Sequence, residues 1–321
     1  MPEKLRQLYP KDRFTVEMVR AAVRASEEYK ALHNGKVVYQ DKRQPTEQDI
    51  ADYFETLKDM NDAVMRLEKK QTKITIALEE TKPFGIAFWG DWHVGAKGAD
   101  HRRLDEDAEL IADTDGLYVI GMGDYKDNAS ALVHPQATHD SIATTDLQDE
   151  VVIYVWKKET GKTLVLIRGC HEDWDEKNAN EDFVQKVCDA IGAANLWHGG
   201  VITINAGNAE YKIAARHKYK NESSINTTNA QRNFMNDVAD CDMYVLAHRH
   251  YYDLQQLKRR GRDVIYARSG SYKLYDEHGQ KIAGYEAIYG VPVVICFPDR
   301  KEMVPVKSLA TAASMLEMLR K

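Results

Sequence analysis

The sequence has no apolar run long enough to cross a bilayer. Its most apolar segments, such as VPVVICF at 291–297, are short and read as buried strands. The opening MPEKLRQLYP also lacks the apolar stretch of a secretory signal, so a membrane partner is not expected. Cysteine is scarce: Cys170, Cys188, Cys241 and Cys296 lie far apart and form no CxxC pair. That pattern speaks against a disulfide framework or a structural zinc knuckle and favours a reducing, cytoplasmic setting. An excess of positive charge is missing too, with 44 Lys+Arg against 50 Asp+Glu. The chain is therefore not expected to coat nucleic acid through bulk charge, although a local basic groove stays open. Internal repeats and low-complexity segments are absent.

What remains is a globular composition, 43% hydrophobic and 29% charged over 321 residues. This length suits one large domain with an accessory element. The texture changes near residue 82, which divides the chain into a helical extension over 1–80 and a second, larger domain over 81–321. In the extension, Phe14, Met18, Ala21, Ala25 and Tyr29 recur at helical spacing, and His33-Asn34-Gly35 reads as a turn. A second helix is expected from Pro45-Thr46, with Thr46 as N-cap and Asp49 in its first turn. Its apolar positions Ile50, Tyr53, Leu57, Met60, Val64, Leu67 and Ile74 make an a/d seam of about three heptads. The simpler reading is a helical hairpin, and the alternative is a homo-oligomer joined through the seam. PTEQDIADYF has the look of a helix-turn-helix opening, but the helix runs on without the required turn.

From residue 83 short apolar strands alternate with helices, the signature of a layered α/β domain. Strands are expected near 84–89, 116–121, 163–167 and 243–247, and helices near 102–112, 145–158 and 181–192. Two hairpins fit 201–205 with 210–215, and 252–258 with 264–268.

Nearly every one of these strands runs into residues able to bind metal. The first gives WGDWH, where alternate side chains of an extended chain would bring Asp91 and His93 to one ion. The second gives GMGDYKDN, which puts Asp124 on a loop where one carboxylate can bridge two cations. The third gives RGCHE at 168–172, the first hairpin ends at Arg216-His217, and the last strand gives AHRH at 247–250. By the period of two, His248 and His250 would share a face. Single DxH or HxH pairs are common, but five such pieces, ordered and each at a strand end, are hard to obtain by chance.

The ordered set GDWH, GDYKDN, RGCHE, a solitary His and AHRH resembles the calcineurin-like metallophosphoesterase superfamily, whose pattern is DxH, GDxxD, GNH(D/E), H and GHxH. The resemblance covers roughly residues 83–275. It implies an α/β sandwich of two mixed β-sheets flanked by helices, with the ligands at strand ends. It also implies two divalent metal ions, the first held by Asp91, His93 and His250 and the second by His217, His248 and Cys170. Asp124 would bridge them, and His171 would protonate the leaving oxygen or stabilise its charge. The expected activity is phosphoester hydrolysis by a hydroxide held between two metals. Mixed imidazole and carboxylate ligands suit manganese, iron or zinc.

The chain departs from the family at Cys170, where the pattern has Asn. A thiolate there would bias the second metal towards zinc or iron, or else the cysteine faces away or the second site is weak. His198, in an HGG like that of the Ser/Thr protein phosphatases, competes with His217 for the solitary histidine, and strand-end placement favours His217. The other histidines, His33, His101, His134, His139 and His278, read as surface residues. Arg168 and Asn128 are the candidate substrate-binding residues, Arg168 as a bidentate phosphate clamp. The basic stretches 216–220 and 258–262 adjoin the ligands in sequence. They favour a phosphodiester substrate, nucleic acid or nucleotide, over a phosphomonoester of small-molecule or protein-phosphatase type. A non-catalytic scaffold is the third reading, weakened by the retention of His171 beside the ligands.

Overall fold

The computed structural model describes residues 45–67, 70–129, 140–179, 181–223, 226–259, 261–275 and 287–321. The helix expected over 14–29, the turn at His33-Asn34-Gly35, and His134, His139, Arg260 and His278 lie outside the described residues. The chain divides into two compact units, Met1–Lys69 and Lys70–Lys321.

In the first unit, α1 spans Glu47–Leu67. Thr46 and Asp49 cap it reciprocally: Thr46 N donates to Asp49 Oδ2 at 2.8 Å, and Asp49 N donates to Thr46 Oγ1 at 3.1 Å. Ile50, Tyr53, Leu57, Met60 and Val64 all stand exposed along one seam. The seam stops at Leu67; Ile74, read from sequence as its last member, belongs instead to strand β1, Lys73–Leu78. KITIAL alternates β-branched and polar residues with a period of two, which suits a half-covered edge strand and not a helix.

The second unit is built on two six-stranded sheets. Sheet one takes β1, then β6 (Gly199–Ala206) and β7 (Ala209–Arg216), then β8 (Met243–Leu246), β10 (Arg262–Arg268) and β9 (Asp253–Arg259), in that spatial order. Sheet two is ordered β12 (Met303–Val306), β11 (Val293–Cys296), β2 (Phe84–Trp89), β3 (Leu117–Gly121), β4 (Thr163–Leu166) and β5 (Ala194–Asn195). Both are mixed: β2, β3, β4 and β5 run parallel, while β11 is antiparallel to both β2 and β12. In sheet one, β7, β8 and β10 are parallel, and the two hairpins supply the antiparallel pairs.

Alternation along β2 shows how the layers form. Phe84, Ile86 and Phe88 point into the core between the sheets, where they join Ile120, Val165, Ile202, Ile204, Ile213 and Val245. Ala87 and Trp89 face the other way, towards helices α2 (His101–Asp113), α3 (Thr145–Lys158), α5 (Phe183–Ile191) and α7 (Leu309–Leu319). A strand covered on both faces has no polar side to show, which is why FGIAFW reads as a continuous apolar run. Helix α6 (Asn229–Asp237) covers the outer face of sheet one through Ala230, Phe234 and Met235. The short α4 (Asp173–Ala179) follows the β4 loop. The result is the two-sheet sandwich flanked by helices that the motif set implies. No helix among the described residues is long and apolar enough to cross a membrane.

Candidate metal centre

Parallel strands end together, so the loops after β2, β3, β4, β7 and β8 can gather at one end of the sandwich. The first two are laced side by side: Asp91 N donates to Gly123 O at 2.8 Å and His93 N to Asp124 O at 3.1 Å. Trp92, between the two ligand-type residues, turns into the core and packs on Trp89 and Trp156 with ring centroids 4.3 and 4.6 Å away. Burying that indole on one side leaves Asp91 and His93 on the other. The backbone is not extended there, contrary to the period-of-two reading. Asp91 and His93 have φ of 52° and 51°, and Asp124, His248 and His250 also lie in the left-handed region. Non-glycine residues adopt this conformation only when surrounding structure holds them in it.

Three donor groups result among the described residues, one of them His93, Asp127 and His171, which shares His93 with the first of the two that concern the metals. Asp91, His93, Asp124 and His250 bring one ligand atom each within 4.8 Å of one another, and Cys170, His217 and His248 do the same. His248 and His250 therefore serve different groups instead of sharing a face. Asp124 lies between the two. Its Oδ2 is 3.1 Å from His217 Nε2 and 4.0 Å from His93 Nε2, while its Oδ1 accepts from His171 N at 2.9 Å. His93 Nε2 and His250 Nε2 converge to 2.9 Å, and Cys170 Sγ lies 3.6 Å from His248 Nδ1.

Neighbouring acceptors set the tautomers. His217 Nδ1 lies 2.8 Å from the carbonyl of Met122, which can only accept, so Nδ1 carries a proton and Nε2 faces the site. His93 Nδ1 is 3.3 Å from the Asp127 carboxylate, which likewise frees Nε2. His171 Nδ1 donates to the Asp127 carbonyl, and the ring packs at a tilt of 38° against Trp174, 4.2 Å between centroids. Nε2 of His217 is buried 3.1 Å from Asp124 Oδ2, in a group with Cys170 and His248. Sulfur, imidazole nitrogen and carboxylate oxygen converging away from solvent are the donor types that hold a divalent ion, so the set fits a metal.

Burial pushes the His93 imidazole down to about 4 and His248 to about 3, so both rings are neutral and free to ligate near pH 7. Burial also pushes His250 well below its ordinary value and Asp91 well above. For Asp124 burial acts upward, but the His217 and His171 rings outweigh it and hold the carboxyl well below the usual range. His217 is the reverse case: burial lowers it, and the Asp124 carboxylate raises it further than that.

Four residues that support the site had no assigned role in the sequence reading. Glu172 is buried and accepts from Asp124 N and Gly169 N at 2.9 Å each, from Tyr125 N at 2.7 Å and from Lys126 N at 3.4 Å. It clamps the β3 loop to the β4 loop. The two can touch because Gly123 (φ +91°) and Gly169 lack side chains; a Cβ on Gly169 would meet Asp124 Oδ1 at 2.2 Å. Asp127 sits between His93 and Lys273, whose Nζ is 3.0 Å from its Oδ1. Arg268 is fully buried and donates to Ala247 O at 2.5 Å, bracing the strand end before His248. Glu172 and Asp127 stand inside quoted motifs, whereas nothing in the local sequence marks Arg268 or Lys273.

The two candidate substrate residues are held elsewhere. Arg168 is buried, its Nη1 2.6 Å from Glu176 Oε2 and its Nη2 2.7 Å from Asp182 Oδ1, and its guanidinium stacks on Trp197 at 3.6 Å. Asn128 gives both amide hydrogens away, to His171 O and Asp175 Oδ1 at 2.8 Å each. His198 is half-exposed beside Asp173 and belongs to none of the donor groups. His101 is part-buried and accepts from Gly95 N at 3.1 Å, not a free surface residue. The basic hairpin also lies apart. Since β10 pairs in parallel with β8 and ends level with it, the turn at 259–262 is at the opposite end of the strand from His248, about 20 Å away. Arg262 there faces Asp240 at 3.4 Å. Lys218 and Arg249 are the basic residues that follow ligands directly, and both act on the His248 ring.

No protein-family model and no curated protein sequence matches the chain. Among solved structures, it is similar to Vps29 of Entamoeba histolytica complexed with zinc at 11% identity and a TM-score of 0.36, covering 70% of this chain and 99% of that one. Vps29 of Chaetomium thermophilum gives 12% and 0.36, over 70% and 96% of the two chains. The sulfate thiohydrolase SoxB of Thermus thermophilus, in complex with glycerol, gives 10% and 0.42, over 76% and 60%.

Proposed function

We propose that this chain is a metal-dependent phosphoester hydrolase with two adjoining metal positions. The observation that carries the reading is Asp124, whose Oδ2 stands between the His93 side and the His217 side of two separate donor groups. One position would be held by Asp91, His93, Asp124 and His250, the other by Cys170, His217, His248 and Asp124. Divalent ions bound there supply Lewis-acid polarisation of a phosphoryl oxygen and lower the pKa of water. The chain's own residues do the rest. Asp127 and Met122 O fix the tautomers of His93 and His217. The β3–β4 clamp at Glu172 holds Asp124 in place. His171, anchored through Nδ1 to Asp127 O, keeps Nε2 for delivering a proton to the leaving oxygen.

The finer reading is a phosphodiester substrate, nucleic acid or nucleotide. Lys218 and Arg249, beside the ligands, support it; the hairpin at 259–262 no longer does, nor does Arg168 serve as a clamp for either ester class. Hydrolysis of bis-p-nitrophenyl phosphate against p-nitrophenyl phosphate, with manganese added, tests both levels. Preference for the diester supports the finer reading, and preference for the monoester replaces it. No turnover together with no bound metal refutes the hydrolase. His171→Ala is expected to keep metal and lose most turnover, whereas Asp124→Ala loses both.

A further inference from the structure

The two donor groups differ in chemistry. One offers two carboxylates and two imidazoles. The other offers a sulfur, two imidazoles and, through Asp124, one carboxylate oxygen. On this basis we propose that the Cys170–His217–His248 position is thiophilic and selects zinc, while the Asp91–His93–Asp124–His250 position accepts a harder ion such as manganese. This deepens the two-metal reading and rests on it.

The geometry supports the assignment atom by atom. Cys170 Sγ lies 3.6 Å from His248 Nδ1, and both fall within 4.8 Å of the His217 ring nitrogen. His217 has no freedom to turn away, because Met122 O holds its Nδ1. The ring is buried, with Nε2 3.1 Å from Asp124 Oδ2 and the ring, the sulfur and the His248 nitrogen grouped together. Sulfur and two nitrogens make three grouped donors of the kind zinc takes in tetrahedral sites, and Asp124 Oδ2, 3.1 Å from His217 Nε2, is the nearest fourth. Thiolates favour such ions over manganese or magnesium, which prefer oxygen ligands. The remaining cysteines cannot substitute: Cys188, Cys241 and Cys296 are buried in the apolar cores, and burial pushes the Cys188 thiol up to about 12. A thiolate signal from this protein is therefore assignable to Cys170.

The test uses the metal-free full chain titrated with cobalt(II), a spectroscopic stand-in for zinc. A near-ultraviolet thiolate-to-cobalt charge-transfer band should grow in with one equivalent. In Cys170→Asn the band should vanish while manganese binding persists, which also shows that the variant is folded. Zinc affinity should drop by about 100-fold or more, at least the loss expected for removing an outer partner. Should Cys170→Asn misfold, Cys170→Ser serves the same comparison. Cobalt binding without the band, or unchanged zinc-over-manganese preference in the variant, overturns the thiophilic assignment and leaves the two-metal reading standing. No uptake of any of the three metals overturns both.

Discussion

Replacing Glu172 by Gln removes half of the clamp beneath Asp124 without touching a proposed ligand side chain. Glu172 Oε2 accepts from Asp124 N and Gly169 N, and Oε1 from Tyr125 N and Lys126 N. Burial raises the carboxyl above its ordinary value, as does Asp124, while the Gly169 N–H pulls it back. Whichever way the Gln amide turns, its NH2 faces donors where an acceptor oxygen stood. Each buried donor left unmatched costs about 1–3 kcal/mol. With two donors exposed to the loss, the unit should be destabilised by roughly 3–5 kcal/mol, the range for breaking a buried charged network on one side. At about 2–4 °C per kcal/mol for a unit of this size, the melting temperature should fall by roughly 6–20 °C. Metal affinity should fall with it, by about 10–100-fold, because the Asp124 loop loses its anchor. Calorimetry of the metal-free protein and isothermal titration with manganese read the two effects. A melting point within 2 °C of wild type, with unaltered affinity, would refute the clamp.

Asp127→Asn should weaken manganese binding by about 10–100-fold at the His93 side while the fold persists, since the amide no longer fixes the ring and leaves Lys273 without its carboxylate; equal affinity in titration would show that Asp127 does not orient His93. Glu159, buried at the end of α3 with both oxygens unpaired, is pushed by burial up to about 8 from 4.5. A carboxyl raised on folding adds stability below pH 4.5, and that contribution is lost as pH rises through 8. Glu159→Gln should therefore leave melting unchanged at pH 4 and raise it at pH 9, and parallel melting curves across that range would count against a buried neutral acid. In the metal-free protein, the lowered His93 and His248 should make stability fall as pH drops from 6.5 towards 4, because the folded rings resist protonation; a flat melting profile over that window would contradict their burial as neutral rings. Self-association is proposed from the exposed seam of α1: Leu57→Glu with Met60→Glu should convert a dimer of the full chain to monomer in sedimentation. Glu47, Asp49, Asp52 and Glu55 crowd the first half of α1 without a basic residue, so the copies should pair antiparallel. A wild-type monomer throughout the micromolar range would rule the contact out.

The strands were legible because their apolar runs are short and bounded. The helix over 145–158 is found at those limits, and the hairpins over 199–216 and 253–268 match to within a few residues. β1 was missed because Ile74 continues the heptad spacing of the α1 seam, although the alternation of KITIAL marks a strand, and it pairs with β6. The ligand residues were legible from their order along the chain, but the cause of their convergence was not. It comes from left-handed backbone and from Trp92 turning inward, neither of which leaves a local signal. Arg168 was misleading for a related reason. An arginine beside a histidine motif looks like a phosphate clamp until Glu176, Asp182 and Trp197, brought in by packing, are seen to hold it.

The left-handed turns have a further consequence. Asp91, His93, Asp124, Asn128, His248 and His250 all sit at positive φ, where an L-residue gives up roughly 1 kcal/mol or more compared with glycine. Together they amount to a sizeable share of the stability of an ordinary domain. The surrounding hydrogen bonds offset this strain: Asp124 Oδ1 accepts from His171 N, and the Asn128 amide donates to His171 O and Asp175 Oδ1. The convergence of these loops is thus held under tension, and their side chains stay in place only while the hydrogen bonds tying the loops together persist.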